Sequence, residues 1–242
     1  MIPVVFVHGF MGGSRQWQGQ AKALANRFNV ISVDLPGFGE NAHVEALHSI
    51  SDYAMWVLNL LSVRGINRFH LIGHSMGGMV VQEMVASAPE RIAQLVLYGT
   101  GATGVLPGRF ETIETSKRRA VADGPRVTAR RIAATWFLRQ EAAEAYEECA
   151  AIAEKSNLPA ILAGLDAMNG WSGAERLAEF RVKALVVWGD RDRTYNWSQT
   201  QQLWHSISGA SLAVIPDCAH AVHLEKPELF NKVLEDFLSP EV

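Results

Sequence analysis

The chain has 242 residues, 48% of them hydrophobic and 19% charged, with a formal net charge of -3. This is an ordinary globular composition, which excludes a disordered or fibrous chain, and so near-neutral a balance argues against a nucleic-acid surface. No apolar run reaches the roughly 20 residues needed to cross a bilayer, so no membrane partner is expected.

Short apolar runs alternate with helical stretches. Residues 3–7 read as a buried strand. They lack the basic start and cleavage site of a leader peptide, so a cytoplasmic protein is expected. The run leads into His8-Gly9-Phe10-Met11-Gly12-Gly13, then a helical stretch over 15–28 and a second strand over 29–33. Asp34-Leu35-Pro36-Gly37-Phe38-Gly39 reads as a turn. A helix over 51–64 and a strand over 69–72 come next, and the pattern repeats with a helix over 76–88 and a strand over 95–98. Further on, residues 184–188 and 211–215 read as strands, 197–206 and 226–238 as helices. Most of the runs are nearly continuous in Val, Ile and Leu, as in parallel strands covered on both faces. The pattern predicts an α/β fold with a doubly wound, mostly parallel sheet.

The alternation stops between Gly99 and Phe180. Four helical stretches stand there, punctuated by Gly124-Pro125, Gln140, Leu158-Pro159 and Gly170. An all-helical insertion between parallel strands reads as a cap over their C-terminal ends, where open α/β sheets bind ligands. The expected organisation is a core of residues 1–102 and 181–242 and a cap of residues 103–180.

Between the strand over 69–72 and the following helix lies Gly73-His74-Ser75-Met76-Gly77. A G-x-S-x-G at such a junction is the pattern of a nucleophile elbow, a turn so tight that glycines must flank the serine. A serine nucleophile needs a base, and the base an orienting acid. Two loops at strand ends supply candidates, Gly189-Asp190-Arg191-Asp192 and Asp217-Cys218-Ala219-His220, in the chain order Ser, Asp, His. Asp190 and His223 are rival candidates, the first as a turn-holding residue, the second as a packing one. The remaining histidines show no metal-ligand spacing, so no metal is expected. Cys149 and Cys218 lie far apart and read as reduced thiols.

These motifs, with Val7-His8-Gly9-Phe10 and Glu225-Lys226-Pro227, give the chain a specific resemblance. It resembles the α/β-hydrolase superfamily, in the group with a helical cap and esterase, lactonase or carbon–carbon hydrolase chemistry. The resemblance implies Ser75 as nucleophile, Asp192 as acid and His220 as base. It also implies an oxyanion hole from the backbone N–H groups of Phe10 and Met76, and no cofactor. The family's usual N-terminal antiparallel strand pair is missing, which leaves 29–33 as an uncovered edge. A homodimer contact or another segment of the chain is expected to shield it.

The implied activity is hydrolysis of a small ester or lactone. Carbon–carbon hydrolysis, a lyase reaction like that of menaquinone-pathway enzymes, and a small-molecule receptor are the alternatives. Trp136, Phe137, Met168, Trp171, Tyr195 and Trp197 are candidates for the pocket lining. Residues 109–139 carry eight basic side chains (Arg109, Lys117, Arg118, Arg119, Arg126, Arg130, Arg131 and Arg139) against three acidic ones. Residues 140–156 reverse the balance, with five acidic against one basic. The pattern reads either as two helix faces attracting each other or as inward arginines that clamp a carboxylated substrate.

Overall fold

The computed structural model describes residues 2–105 and 111–239. The strands are β1 (Val4–Val7), β2 (Val30–Val33), β3 (Phe69–His74), β4 (Ile92–Tyr98), β5 (Lys183–Gly189) and β6 (Ser211–Ile215). They form one parallel sheet in the order β2-β1-β3-β4-β5-β6. All six apolar runs are strands, with boundaries shifted by a few residues at most.

Strand periodicity divides the core in two. Val5 and Val7 of β1, Leu95 and Leu97 of β4, and Ala184 and Val186 of β5 pack on one face of the sheet. Their neighbours Val4, Phe6, Val96, Tyr98, Leu185 and Val187 pack on the other. Helices α2 (Ile50–Val63) and α3 (Met76–Ser87) cover the first face. The second is covered by α1 (Gln18–Leu24) and, through Phe230, Leu234 and Phe237, by α9 (Pro227–Leu238). The helix expected over 15–28 begins as a 3-10 turn at Ser14–Trp17, and α1 ends at Leu24.

Between β4 and β5 lie α4 (Ile113–Thr135), α5 (Tyr146–Ala153) and α6 (Leu158–Asn169). Gly124, at φ 78°, breaks α4 in two, and Pro125 opens the second piece, where its missing N–H costs least. The segments entering and leaving this helical region pair with each other. Gly104 N–H donates to Trp171 O at 2.9 Å and Gly173 N–H to Ala102 O at 2.8 Å, around a Thr103–Ser172 antiparallel bridge. Glu83 on α3 anchors this neck. Its carboxylate accepts from Trp171 Nε1 at 2.6 Å and is paired with the Arg176 guanidinium. Burial pushes the Glu83 pKa up, but hydrogen bonds from Arg176 and Trp171 outweigh it and leave the group below its ordinary value.

Two short helices remain, α7 (Trp197–Ser206) and α8 (Val222–Glu225). Strand β2 is the sheet edge, and among the described residues no strand pairs with its free side. No described helix is long and apolar enough to cross a membrane.

Candidate active site

The strand order reverses at β1. The chain runs from β1 outward to β2, then returns to lay β3 on the opposite side of β1. The ends of β1 and β3 therefore border a topological switch point, where a crevice opens beyond the strand ends. Ser75 stands there, directly after β3, at φ 55° and ψ -121°. A non-glycine residue in that region is strained and must be held in place. Its N–H donates to Tyr98 O at 3.0 Å, and its carbonyl accepts from Thr100 Oγ1 at 2.7 Å. Glycines make the turn possible by close approach. A Cβ on Gly77 would collide with the carbonyl oxygens of Val7 and His8, both fixed at the end of β1. Gly77→Ala is expected to cost about 3 kcal/mol or more, read as a fall in the denaturation midpoint. Unchanged stability would show that the elbow can open.

His220 and Asp192 arrive from the loops after β6 and β5. His220 Nδ1 donates to Asp192 Oδ2 at 2.8 Å, and the two side chains are 2% and 0% exposed. The other carboxylate oxygen of Asp192 accepts from the N–H groups of Thr194 (2.7 Å) and Tyr195 (3.1 Å). The carboxylate is thereby fully engaged and its face toward the imidazole set. Tyr195 stacks on the His220 ring with centroids 5.6 Å apart. Asp190, the rival acid, instead has its Oδ2 3.6 Å from Arg191 Nε, while its Oδ1 is buried without a hydrogen-bond partner.

The loop after β1 carries the candidate oxyanion donor. Met11 sits at φ 58°, and Gly12 N–H closes the turn onto Gly9 O at 3.0 Å. His8, fully buried, braces this loop. Its Nδ1–H donates to Gly9 O at 2.7 Å, and its Nε2 accepts from Leu35 N–H at 2.9 Å, which sets the tautomer. Burial pushes its pKa down, so the ring stays neutral. Among the described residues, no acceptor within the protein takes the backbone N–H of Phe10 or of Met76. Two backbone donors are thus left uncommitted, one directly after the serine and one on a residue of the same cavity wall.

Behind His220 lies a buried aromatic and histidine cluster. The His220 carbonyl accepts from Tyr98 Oη at 2.8 Å and from His74 Nε2 at 3.1 Å. Tyr98 Oη also lies 3.0 Å from Nδ1 of His223, which stacks on Trp17 with centroids 4.3 Å apart. Burial, reinforced by His220, pushes His223 down to about 3 and His74 well below the usual histidine range. Both rings are neutral near pH 7. Glu225 completes the support. Its carboxylate accepts from Ala219 N–H and Leu138 N–H, each at 2.7 Å, tying the His220 loop to the segment after α4.

Ser75, His220 and His74 line one cavity together with Phe10, Gln16, Ile132, Thr135, Trp136, Met168, Thr194 and Tyr195. Of the six pocket candidates from the sequence, Trp136, Met168 and Tyr195 line it, and three do not. Phe137 is fully buried in the hydrophobic core. Trp171 is drawn away by its bond to Glu83. Trp197, the first residue of α7, is 39% exposed and packs on Trp188.

The basic run of α4 faces the acids of its own region. Lys117 pairs with Asp166, Arg119 and Arg131 with Glu111, Arg126 with Glu154, and Arg130 with Glu147 and Glu154. Arg118 donates to Thr115, Arg139 is exposed, and Arg109 lies outside the described residues. No lysine or arginine among the described residues lines the cavity, and the pairing of Arg126 and Arg130 with Glu147 and Glu154 follows the first of the two readings, helix faces that attract each other. Among the described residues no cluster of His, Cys, Asp or Glu is placed to hold a metal. Three contributors escaped the sequence reading: Gln16 in the cavity wall, Tyr98 behind His220, and Glu83 at the neck. Only Gln16 left a local signal, three residues after Gly13 in the spacing of a helix cap.

The chain is similar to known hydrolases along nearly its whole length. The chain is 28% identical over 242 residues to a putative carbamate hydrolase of Azorhizobium caulinodans, covering 97% of this chain and 90% of that protein. It is 30% identical to a 2-hydroxy-6-oxononadienedioate/2-hydroxy-6-oxononatrienedioate hydrolase of Burkholderia vietnamiensis, covering 97% and 86%. A thermophilic esterase from Thermogutta terrifontis superposes with a TM-score of 0.88 at 25% identity, covering 98% of this chain and 89% of that one. The model of the alpha/beta hydrolase family matches residues 4–233, and the chain belongs to that family.

Proposed function

We propose that the chain is a serine hydrolase of small, neutral carboxylic esters or lactones. His220 takes the Ser75 proton as Oγ attacks the carbonyl carbon, and Asp192 stabilises the imidazolium that forms. The N–H groups of Phe10 and Met76 hold the developing oxyanion. The tetrahedral intermediate collapses to an acyl-serine, with His220 protonating the departing alkoxide. Water, deprotonated by His220, then releases the acid and restores the serine. Residues 103–180 act as the cap, supplying Gly104, Ile132, Thr135, Trp136 and Met168 to the cavity wall.

The observation that carries this reading is the solvent-excluded Asp192–His220 pair, whose imidazole lines an apolar cavity together with a strained serine. The absence of a lysine or arginine from the described cavity wall favours an uncharged substrate over a carboxylated one. A pH-stat panel tests this with short and medium neutral esters, a lactone, a carbamate and a carboxylated enol-lactone. Acid release is expected to be fastest on a neutral ester or lactone. Preference for the anionic member would reverse the assignment of substrate charge, and no release from any would reject the hydrolase reading.

A further inference from the structure

Gln16 is 6% exposed and lines the cavity that holds Ser75. Its Oε1 accepts from Gly13 N–H at 3.2 Å. A backbone N–H must meet the oxygen of a carboxamide, so this bond fixes which way the amide points. Nε2 is left with Cys149 Sγ at 3.5 Å, a weak acceptor that takes at most one of its two N–H bonds. Holding the Gly13 N–H uses the amide oxygen alone. The amide nitrogen therefore calls for a separate reason. Two other polar groups of the wall are already committed. The Thr135 hydroxyl donates to Ile132 O at 2.6 Å, and His74 Nε2 is held by the His220 carbonyl.

We propose that Gln16 is a specificity-determining residue, its free N–H donating to a second carbonyl oxygen that the substrate carries away from the scissile bond. The preferred substrates are then neutral oxo-esters or oxo-lactones rather than plain alkanoates. This rests on the serine-hydrolase reading for its kinetics but not for its binding. A buried donor aimed at an acceptor discriminates strongly, because a ligand lacking the acceptor leaves the donor unpaired.

The test uses para-nitrophenyl hexanoate and its γ-oxo and δ-oxo analogues. Relative kcat/KM is measured for wild type, Gln16→Leu and Gln16→Glu, and relative Kd is measured calorimetrically in the Ser75→Ala background. Wild type is expected to favour one oxo ester by about tenfold or more. Gln16→Leu removes both bonds, whereas Gln16→Glu, as a carboxylate, keeps the Gly13 bond and puts an acceptor where the donor stood. Both are expected to bring the ratio to within about twofold. A wild-type ratio near one, or a ratio unchanged in either variant, overturns the proposal. If Ser75→Ala loses less than about 100-fold of the wild-type rate, the serine-hydrolase reading fails, and the calorimetric ratio in Gln16 variants carrying that change still decides the role of Gln16.

Discussion

Ser75→Ala is expected to lower kcat on a neutral ester by about 10⁵- to 10⁶-fold, with binding and fold retained. The serine is held by its backbone, through Tyr98 O and Thr100 Oγ1, and alanine keeps both contacts. At φ 55° alanine is strained to the same degree as serine, since both carry a Cβ. Loss of Oγ removes the group that would bond to the acyl carbon and leaves the oxyanion donors and cavity in place. What remains is catalysis by those donors acting on bound water. Steady-state rates with wild type and variant side by side, and their melting temperatures, check this. A loss smaller than about 100-fold would mean that another group attacks the carbonyl.

Asp192→Asn is expected to lower kcat by about 10⁴-fold, with little change in stability. The reason lies in the hydrogen-bond polarity around the carboxylate. Two backbone donors, Thr194 N–H and Tyr195 N–H, converge on Oδ1, so the oxygen of an asparagine must stay there. Its NH2 then faces His220 Nδ1, which must give up its proton to accept. The imidazole is left with its proton on Nε2, the nitrogen that should take the serine proton, and it can no longer act as a base. A drop of less than tenfold would show that the carboxylate does not set the histidine tautomer.

Much of this architecture was legible because each signal was local. Parallel strands buried on both faces are mostly apolar, so β1 and residues 95–98 of β4 stand out as unbroken runs. The elbow could be read because Gly73 and Gly77 are demanded by the backbone itself, and the loops of Asp192 and His220 because they lie at strand ends, whereas the choice of Asp192 over Asp190 and of His220 over His223 came from the family resemblance. What escaped depends on partners remote in sequence or on the direction of a side chain. Glu83 meets Trp171 and Arg176 across roughly 90 residues, and nothing near position 83 announces a buried ion pair. Trp136 and Phe137 are adjacent and equally apolar, yet one lines the cavity and the other sits in the core. Successive residues on a helical turn point about 100° apart, and how the end of α4 is turned comes from its packing on α5 and α6. The charge reversal between residues 109–139 and 140–156 was plain in the sequence. Which face carried it was settled by the pairing of Arg126 and Arg130 with Glu154.

The buried surroundings of His220 also explain why a pattern of three residues does not complete the site. Its main-chain carbonyl is clamped by Tyr98 and His74, and its loop is tied to Leu138 through Glu225. Tyr98→Phe removes one clamp without altering charge. It is expected to lower kcat by about tenfold at unchanged KM, because the imidazole is less well placed while the cavity wall is untouched. A change in KM alone would assign Tyr98 to binding instead.

The central claim is that Ser75 forms a covalent acyl intermediate. Mixing the protein with excess para-nitrophenyl acetate, quenching in acid within the first turnover and mapping the peptides by mass spectrometry tests it most directly. An acetyl mass on the peptide bearing Ser75, lost in the Ser75→Ala protein, is the predicted result. Product formation with no adduct at Ser75, or with the acetyl group on another side chain such as Cys149, would contradict it.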